Sequence, residues 1–158
     1  MCNLPSWLLH AKYSRKFMSR MGIEGIDPRV IDALVDEPSS ILPVLKERVS
    51  RENRLLSLIL YREEVRPMEP IAVHDWGAWT RYPQPAIEAL RRVAEILYGR
   101  EGRLLVDLHL SLDYVWWREV GRREFLHWAG KLDISREVVD FILEELEELK
   151  RLRRSWRR

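Results

Sequence analysis

At 158 residues and 18.9 kDa, with 46% hydrophobic and 33% charged residues, the chain has the composition of one globular domain able to bury a core without disulfide or metal staples. No apolar run approaches the roughly 20 residues of a membrane span, and the opening MCNLPSWLLHAKYSRKF sets its apolar stretch before its charges with no small-residue cleavage site, which is not a secretory pattern. The single Cys2 excludes an internal disulfide and any multi-cysteine zinc or iron–sulfur site, so a reducing, cytoplasmic setting is expected.

The net charge of +2 is unevenly divided. Residues 1–22 carry Lys12, Arg15, Lys16 and Arg20 with no acid, and residues 150–158 carry six bases with none. The remaining 17 bases face all 25 acids, so an acidic body of net charge −8 lies between two basic ends. Of the 27 basic residues 22 are Arg, and the chain holds one Gln and two Asn, an arginine-rich, amide-poor balance that matches a thermophile's protein and that a GC-rich genome would also favour.

Apolar groups at Trp7, Leu8, Ala11, Ser14, Phe17, Met18 and Met21 form the stripe of an amphipathic helix over Ser6 to Met21, capped by Ser6 and ended by Gly22. Asp27-Pro28 is an N-cap followed by Pro at the first helical position, which predicts a short helix through Val30, Ile31, Leu34 and Val35 up to Pro38. Ser39 or Ser40 caps a third helix, ILPVLKERV, and Ser50 either caps a fourth, RENRLLSLILYREE, or lies within one continuous helix. Four prolines and a glycine between Val65 and Pro85 predict a loop anchored by Trp76, Trp79 and Tyr82. Helix returns from Pro85 to Tyr98, with Gly99 as its stop.

Residues 103–114 alternate. Leu104, Val106, Leu108, Leu110, Leu112 and Tyr114 interleave with Leu105, Asp107, His109, Ser111 and Asp113, the period of a strand with one wet face. A lone strand needs a partner, and the leucine content and helical surroundings favour a helix here. A helix over Arg122 to Ala129 follows. The last helix is capped by Ser135 and carries a heptad-like seam of Val139, Ile142, Leu146, Leu149, Arg153 and Trp156, with acids preceding bases along the macrodipole.

His74-Asp75, in AVHDWGAW, resembles the His-Asp pair of HD-type phosphohydrolases. That all-helical family surrounds one or two metal ions with imidazole and carboxylate ligands and activates water for attack on phosphorus. The resemblance implies His10 as an earlier ligand and Asp107 or Asp113 as a later one; the Pro-rich setting of the pair departs from the family pattern. Arg122 and His127 form an R-x4-H spacing that resembles the motif of HEPN-type ribonucleases, in which Arg binds phosphate and His assists cleavage. If 103–114 is a strand, Asp107, His109 and Asp113 share a face able to hold a metal, with plain solvent exposure as the competing expectation. Trp7 and Trp128 fall at apolar helix positions, whereas Trp76, Trp79, Trp116 and Trp117 are hard to bury together and could stack on bases or a partner.

The expected fold is mainly α: a compact helical domain of about six to seven helices spanning 1–158, with a central Pro/Trp-rich loop at 65–85 and a small β element as the alternative at 103–114. Residues 135–158 form a terminal helix with a basic end. The segregated charge favours a non-enzymatic accessory or interaction protein without a cofactor. It would bind nucleic-acid phosphate or an acidic protein surface through Lys12, Arg15, Lys16, Arg20, Lys150, Arg151, Arg153, Arg154, Arg157 and Arg158, with no membrane role. The alternatives are an HD-like metal-dependent phosphohydrolase centred on His74 and Asp75, with His10 and Asp107 completing the metal set, and a structural homo-oligomer built through the C-terminal helix.

Overall fold

The computed structural model describes residues 6–49 and 83–156, with side chains from Trp7 to Val49 and from Ile87 to Trp156. The fourth helix expected after Ser50, most of the 65–85 loop, the His74-Asp75 pair, Trp76, Trp79, Arg157 and Arg158 lie outside them. The described residues form seven α-helices and no strand: α1 (Ser6–Met21), α2 (Pro28–Asp36), α3 (Leu42–Val49), α4 (Pro83–Tyr98), α5 (Arg100–Arg118), α6 (Arg122–Lys131) and α7 (Arg136–Trp156), with a 3-10 turn at Pro38–Ile41 before α3. No helix among them is long and apolar enough to cross a membrane.

The organising element is α5. Every residue from Leu104 to Trp116 is buried, and the helix is packed by α1, α2, α4, α6 and α7. A helix enclosed on all sides carries no wet face, so its sequence lacks the 3.6-residue contrast of an amphipathic surface helix. The helix favoured at 103–114 is therefore what forms, and the alternative strand does not. Leu105, Asp107, His109, Ser111 and Asp113, which would have formed the exposed face of a strand, are all buried.

Gly99 makes the turn into α5 at φ 69°, in the left-handed region that favours glycine. One turn on, Gly102 lets α5 approach α4 closely: a Cβ there would stand 2.3 Å from the carbonyl oxygen of Ala94. Asp27 caps α2 as its sequence predicts, accepting from the Arg29 amide at 3.0 Å. Ser40 instead donates its hydroxyl to the Glu37 carbonyl inside the 3-10 turn.

In α1 the buried face runs through Leu9, His10, Tyr13, Ser14 and Phe17, while Trp7 is 67% and Leu8 52% exposed. The predicted stripe was rotated because the core side of this helix holds an imidazole and a phenol, which a count of apolar residues passes over. In α7 the buried face comprises Val138, Phe141, Ile142, Glu145, Leu146 and Leu149. The seam residues Ile142, Leu146 and Leu149 are thus used within the chain, whereas Trp156 is 58% exposed. Trp116 and Trp128 are buried, the latter stacked on Tyr114 with ring centroids 4.2 Å apart.

Candidate metal centre

Three helices bring five ionisable side chains together. Two of them supply pairs spaced i, i+4, which places both members on one helix face: Asp32 and Asp36 on α2, and His109 and Asp113 on α5. The fifth is His10 on α1. His10, His109 and Asp113 are all buried, and one ligand atom from each lies within 4.8 Å of those of the other two. The His10 and His109 rings stack in parallel with centroids 3.9 Å apart. The Asp113 carboxylate spans both Nε2 atoms, with Oδ1 2.8 Å from His10 and Oδ2 3.2 Å from His109.

Asp32 Oδ1 stands 2.8 Å from His109 Nδ1. An ionised carboxylate only accepts, so Nδ1 carries the proton of that bond and Nε2 turns toward Asp113 and Asp36, the latter 3.3 Å away. Burial pushes the His109 imidazole down, but Asp36, Asp113 and the hydrogen bonds from Asp113 and Asp32 outweigh it and hold the group well above its ordinary range. The site thus carries a strongly negative field, and the same field favours a bound cation.

The donor set fits a first-row divalent metal. Two imidazoles and a carboxylate, with no thiolate, suit zinc, cobalt, nickel, iron or manganese. The Asp32 contact supplies the outer carboxylate that metal-ligating histidines ordinarily use to fix ring orientation. His10 Nδ1 is buried and has no hydrogen-bond partner among the described residues.

Of the metal ligands expected from the sequence, His10, His109 and Asp113 belong to this cluster, Asp107 is held elsewhere, and His74 and Asp75 lie outside the described residues. Asp107 Oδ1 accepts Arg91 Nε at 2.6 Å, and Oδ2 accepts the Ser135 amide at 2.9 Å and hydroxyl at 2.5 Å. The Ser135 hydroxyl donates to Asp107 while its carbonyl accepts the Val138 and Val139 amides at 3.0 Å, which sets Ser135 at the N-cap position of α7. In a helix, Asp107 and His109 point about 200° apart, which separates residues that a strand would have aligned. Asp32 and Asp36 were not anticipated. The signals available were the D-x3-D and H-x3-D spacings, which carry weight only once both segments are known to be helical.

Five of the ten terminal bases pair with acids of the same chain while those of α1 stay about half exposed. Lys12 pairs with Glu148 at 3.3 Å, Lys16 with Glu145 at 2.6 Å, and the Arg20 guanidinium grips both oxygens of Glu144, tying α1 to the acidic stretch of α7. Lys150 pairs with Glu147 and Arg153 with Glu119. Arg15, Arg151 and Arg154 are exposed, as are Arg122 and His127 on α6. A shallow apolar recess of about 150 Å³, lined by Leu8, Leu9, Lys12, Trp116, Leu152 and Trp156, lies where α1 meets the end of α7. No protein family, curated protein or solved structure matches the chain.

Proposed function

We propose that this helical protein binds a divalent transition metal through His10, His109 and Asp113 and uses it to hydrolyse a phosphoester, in the manner of the HD-type phosphohydrolases that the sequence resembles at His74-Asp75. The observation that carries the reading is the convergence, inside an all-helical core, of two imidazoles and a carboxylate within 4.8 Å of one another. A divalent ion held there would lower the pKa of a coordinated water toward neutrality and polarise a phosphoryl oxygen. Of the surrounding groups, Asp36 is the most exposed, with 39% of its side chain accessible, which sets the approach for a substrate on the α2 side. The interaction reading draws less support, because Lys12, Lys16 and Arg20 already face glutamates of α7.

The test is hydrolysis of p-nitrophenyl and nucleotide mono- and diesters by the full chain loaded in turn with Mn²⁺, Fe²⁺, Co²⁺, Ni²⁺ or Zn²⁺. Metal-dependent turnover that chelator abolishes and that His109→Gln lacks supports the proposal. Protein that carries the ion yet turns over none of these esters removes the hydrolase assignment and leaves metal binding alone.

A further inference from the structure

We propose that the recess where α1 meets the end of α7 docks an acidic peptide segment of another protein, which inserts one bulky apolar side chain between Leu8 and Trp156 and sets its carboxylates against Lys12 and Arg151. The proposal is independent of the metal reading, since none of the residues lining the recess belongs to the histidine–aspartate cluster.

Three helix ends build the recess. Leu8 and Leu9 come from the first turn of α1, Trp116 from the end of α5, and Leu152 and Trp156 from the end of α7. Leu9 and Trp116 are buried while Leu8 and Trp156 are more than half exposed, so a shielded base lies below two apolar walls that stand in solvent. Covering those walls removes apolar surface from water. The volume of about 150 Å³ is that of a space able to hold a single aromatic ring or branched aliphatic side chain. One inserted side chain held against a tryptophan is the pattern of an interface hot spot.

The lining chooses among partners. Apart from Lys12 and the two indole N–H groups it offers no hydrogen-bonding side chain, so a nucleobase seated there would leave its polar edge unsatisfied, whereas Phe or Leu loses nothing. A flat bilayer surface would not fill the concavity.

Charge supplies the rest. α1 contains no acid, and α7 contains none after Glu148. Lys12 contacts Glu148 yet stays 55% exposed, and an ammonium has three protons to donate. Arg151 is exposed and directly precedes Leu152, and its charge opposes the rise in the pKa of the Tyr13 phenol on α1, which sets it on the α1 side of the recess. Arg154 stands about 200° round the helix from Leu152, on the opposite side of α7. Carboxylates flanking the inserted side chain therefore meet two cations at the recess itself.

The experiment selects binders of the full chain from a displayed library of random dodecapeptides, then follows the fluorescence anisotropy of labelled synthetic copies with wild type and with variants at exposed positions, whose folding circular dichroism checks. Enrichment of acidic sequences carrying one Phe, Leu, Met or Trp supports the proposal when Trp156→Ala and Leu8→Ala each weaken binding by about tenfold or more. Arg151→Glu should weaken it several-fold and flatten its salt dependence, and Arg154→Glu should change it less. Enriched peptides that are neutral or basic, binding that Trp156→Ala and Leu8→Ala leave unchanged, or a library that yields no binder overturns it. Oligo(dT) or phosphatidylglycerol vesicles retained through Trp156 in the absence of peptide binding would give the recess to nucleic acid or lipid. A dimer in sedimentation that Trp156→Ala splits would give it to a second copy. Each of these overturns the acidic peptide as occupant.

Discussion

Replacing Asp107 with alanine strips Arg91 of its shortest ionic contact in a part of the core that water barely reaches. The Arg91 side chain is 2% and the Asp107 side chain 1% exposed, with Nε and Oδ1 2.6 Å apart. Arginine does not shed its proton, so the guanidinium stays charged when its partner is removed. Its remaining contacts are the Leu132 carbonyl at 2.8 Å, the Asp133 carbonyl at 3.3 Å and the half-exposed Glu88 carboxylate at 3.6 Å. Two neutral acceptors and a distant carboxylate do not replace a buried ionic bond. Breaking such a pair by truncating one partner costs about 3–5 kcal/mol, and the Ser135 amide and hydroxyl lose their acceptor as well. Domains of this kind hold about 5–15 kcal/mol in total, so Asp107→Ala should remove a large share of it. At about 2–4 °C per kcal/mol for a chain of this length, the thermal midpoint should fall by roughly 10 °C. Calorimetry and urea unfolding of metal-free protein measure the loss. The double variant Arg91→Met, Asp107→Leu should recover most of it, since removing both charges avoids the stranded cation. A loss below about 1 kcal/mol in Asp107→Ala refutes the description of this pair as a buried clamp between α4, α5 and the α6–α7 turn.

Two further outcomes follow from the same packing. In Gly102→Ala the added methyl meets a backbone carbonyl at 2.3 Å, which must move and takes α4 with it. The gain in helix propensity of about 1 kcal/mol is offset by an overpacking cost of about 1–3 kcal/mol, so chemical denaturation should show net destabilisation; a stabilised variant would place α4 and α5 farther apart than described. Metal-free protein should also lose stability as pH rises. The His109 imidazole is held above 6.5 in the folded state despite full burial, because Asp36 and Asp113 outweigh that burial. Its contribution is therefore fully present below 6.5 and is lost as pH climbs through the raised folded value. Urea midpoints in chelator should decline over that range, and His109→Gln should flatten the decline; an identical slope in the variant would place the titration elsewhere.

How much was legible in the sequence depended on the surroundings of each helix. Asp27-Pro28 announced α2 because capping is a local event, satisfied within two residues. The helix of α5 was favoured by leucine content and surroundings alone, because in its central position hydrophobic period gives no guide and Asp107, His109, Ser111 and Asp113 are polar yet buried. The burial of Asp107, His109 and Asp113 depends on Arg91, Asp32 and His10, partners 16, 77 and 103 residues away in sequence, and distance along the chain gives no hint of such pairing. The charge asymmetry was legible, and part of it is used within the fold. The bases of α1 and the glutamates of α7 read as an acidic body with basic ends, and in the fold they are two sides of one antiparallel contact. For the candidate centre, the sequence drew attention to His10, His109 and Asp113, while nothing in it singled out Asp32 or Asp36.

The most direct test of the metal centre is the ion content of the full chain, measured by elemental and native mass spectrometry after growth in metal-supplemented medium and purification without chelator. One divalent ion per chain in the wild type is predicted, falling to background in His10→Gln, His109→Gln and Asp113→Asn proteins that keep their helical circular dichroism. A folded wild-type chain with no more ion than its chelator-treated control, or variants that retain the full complement, would contradict the assignment of His10, His109 and Asp113 as metal ligands.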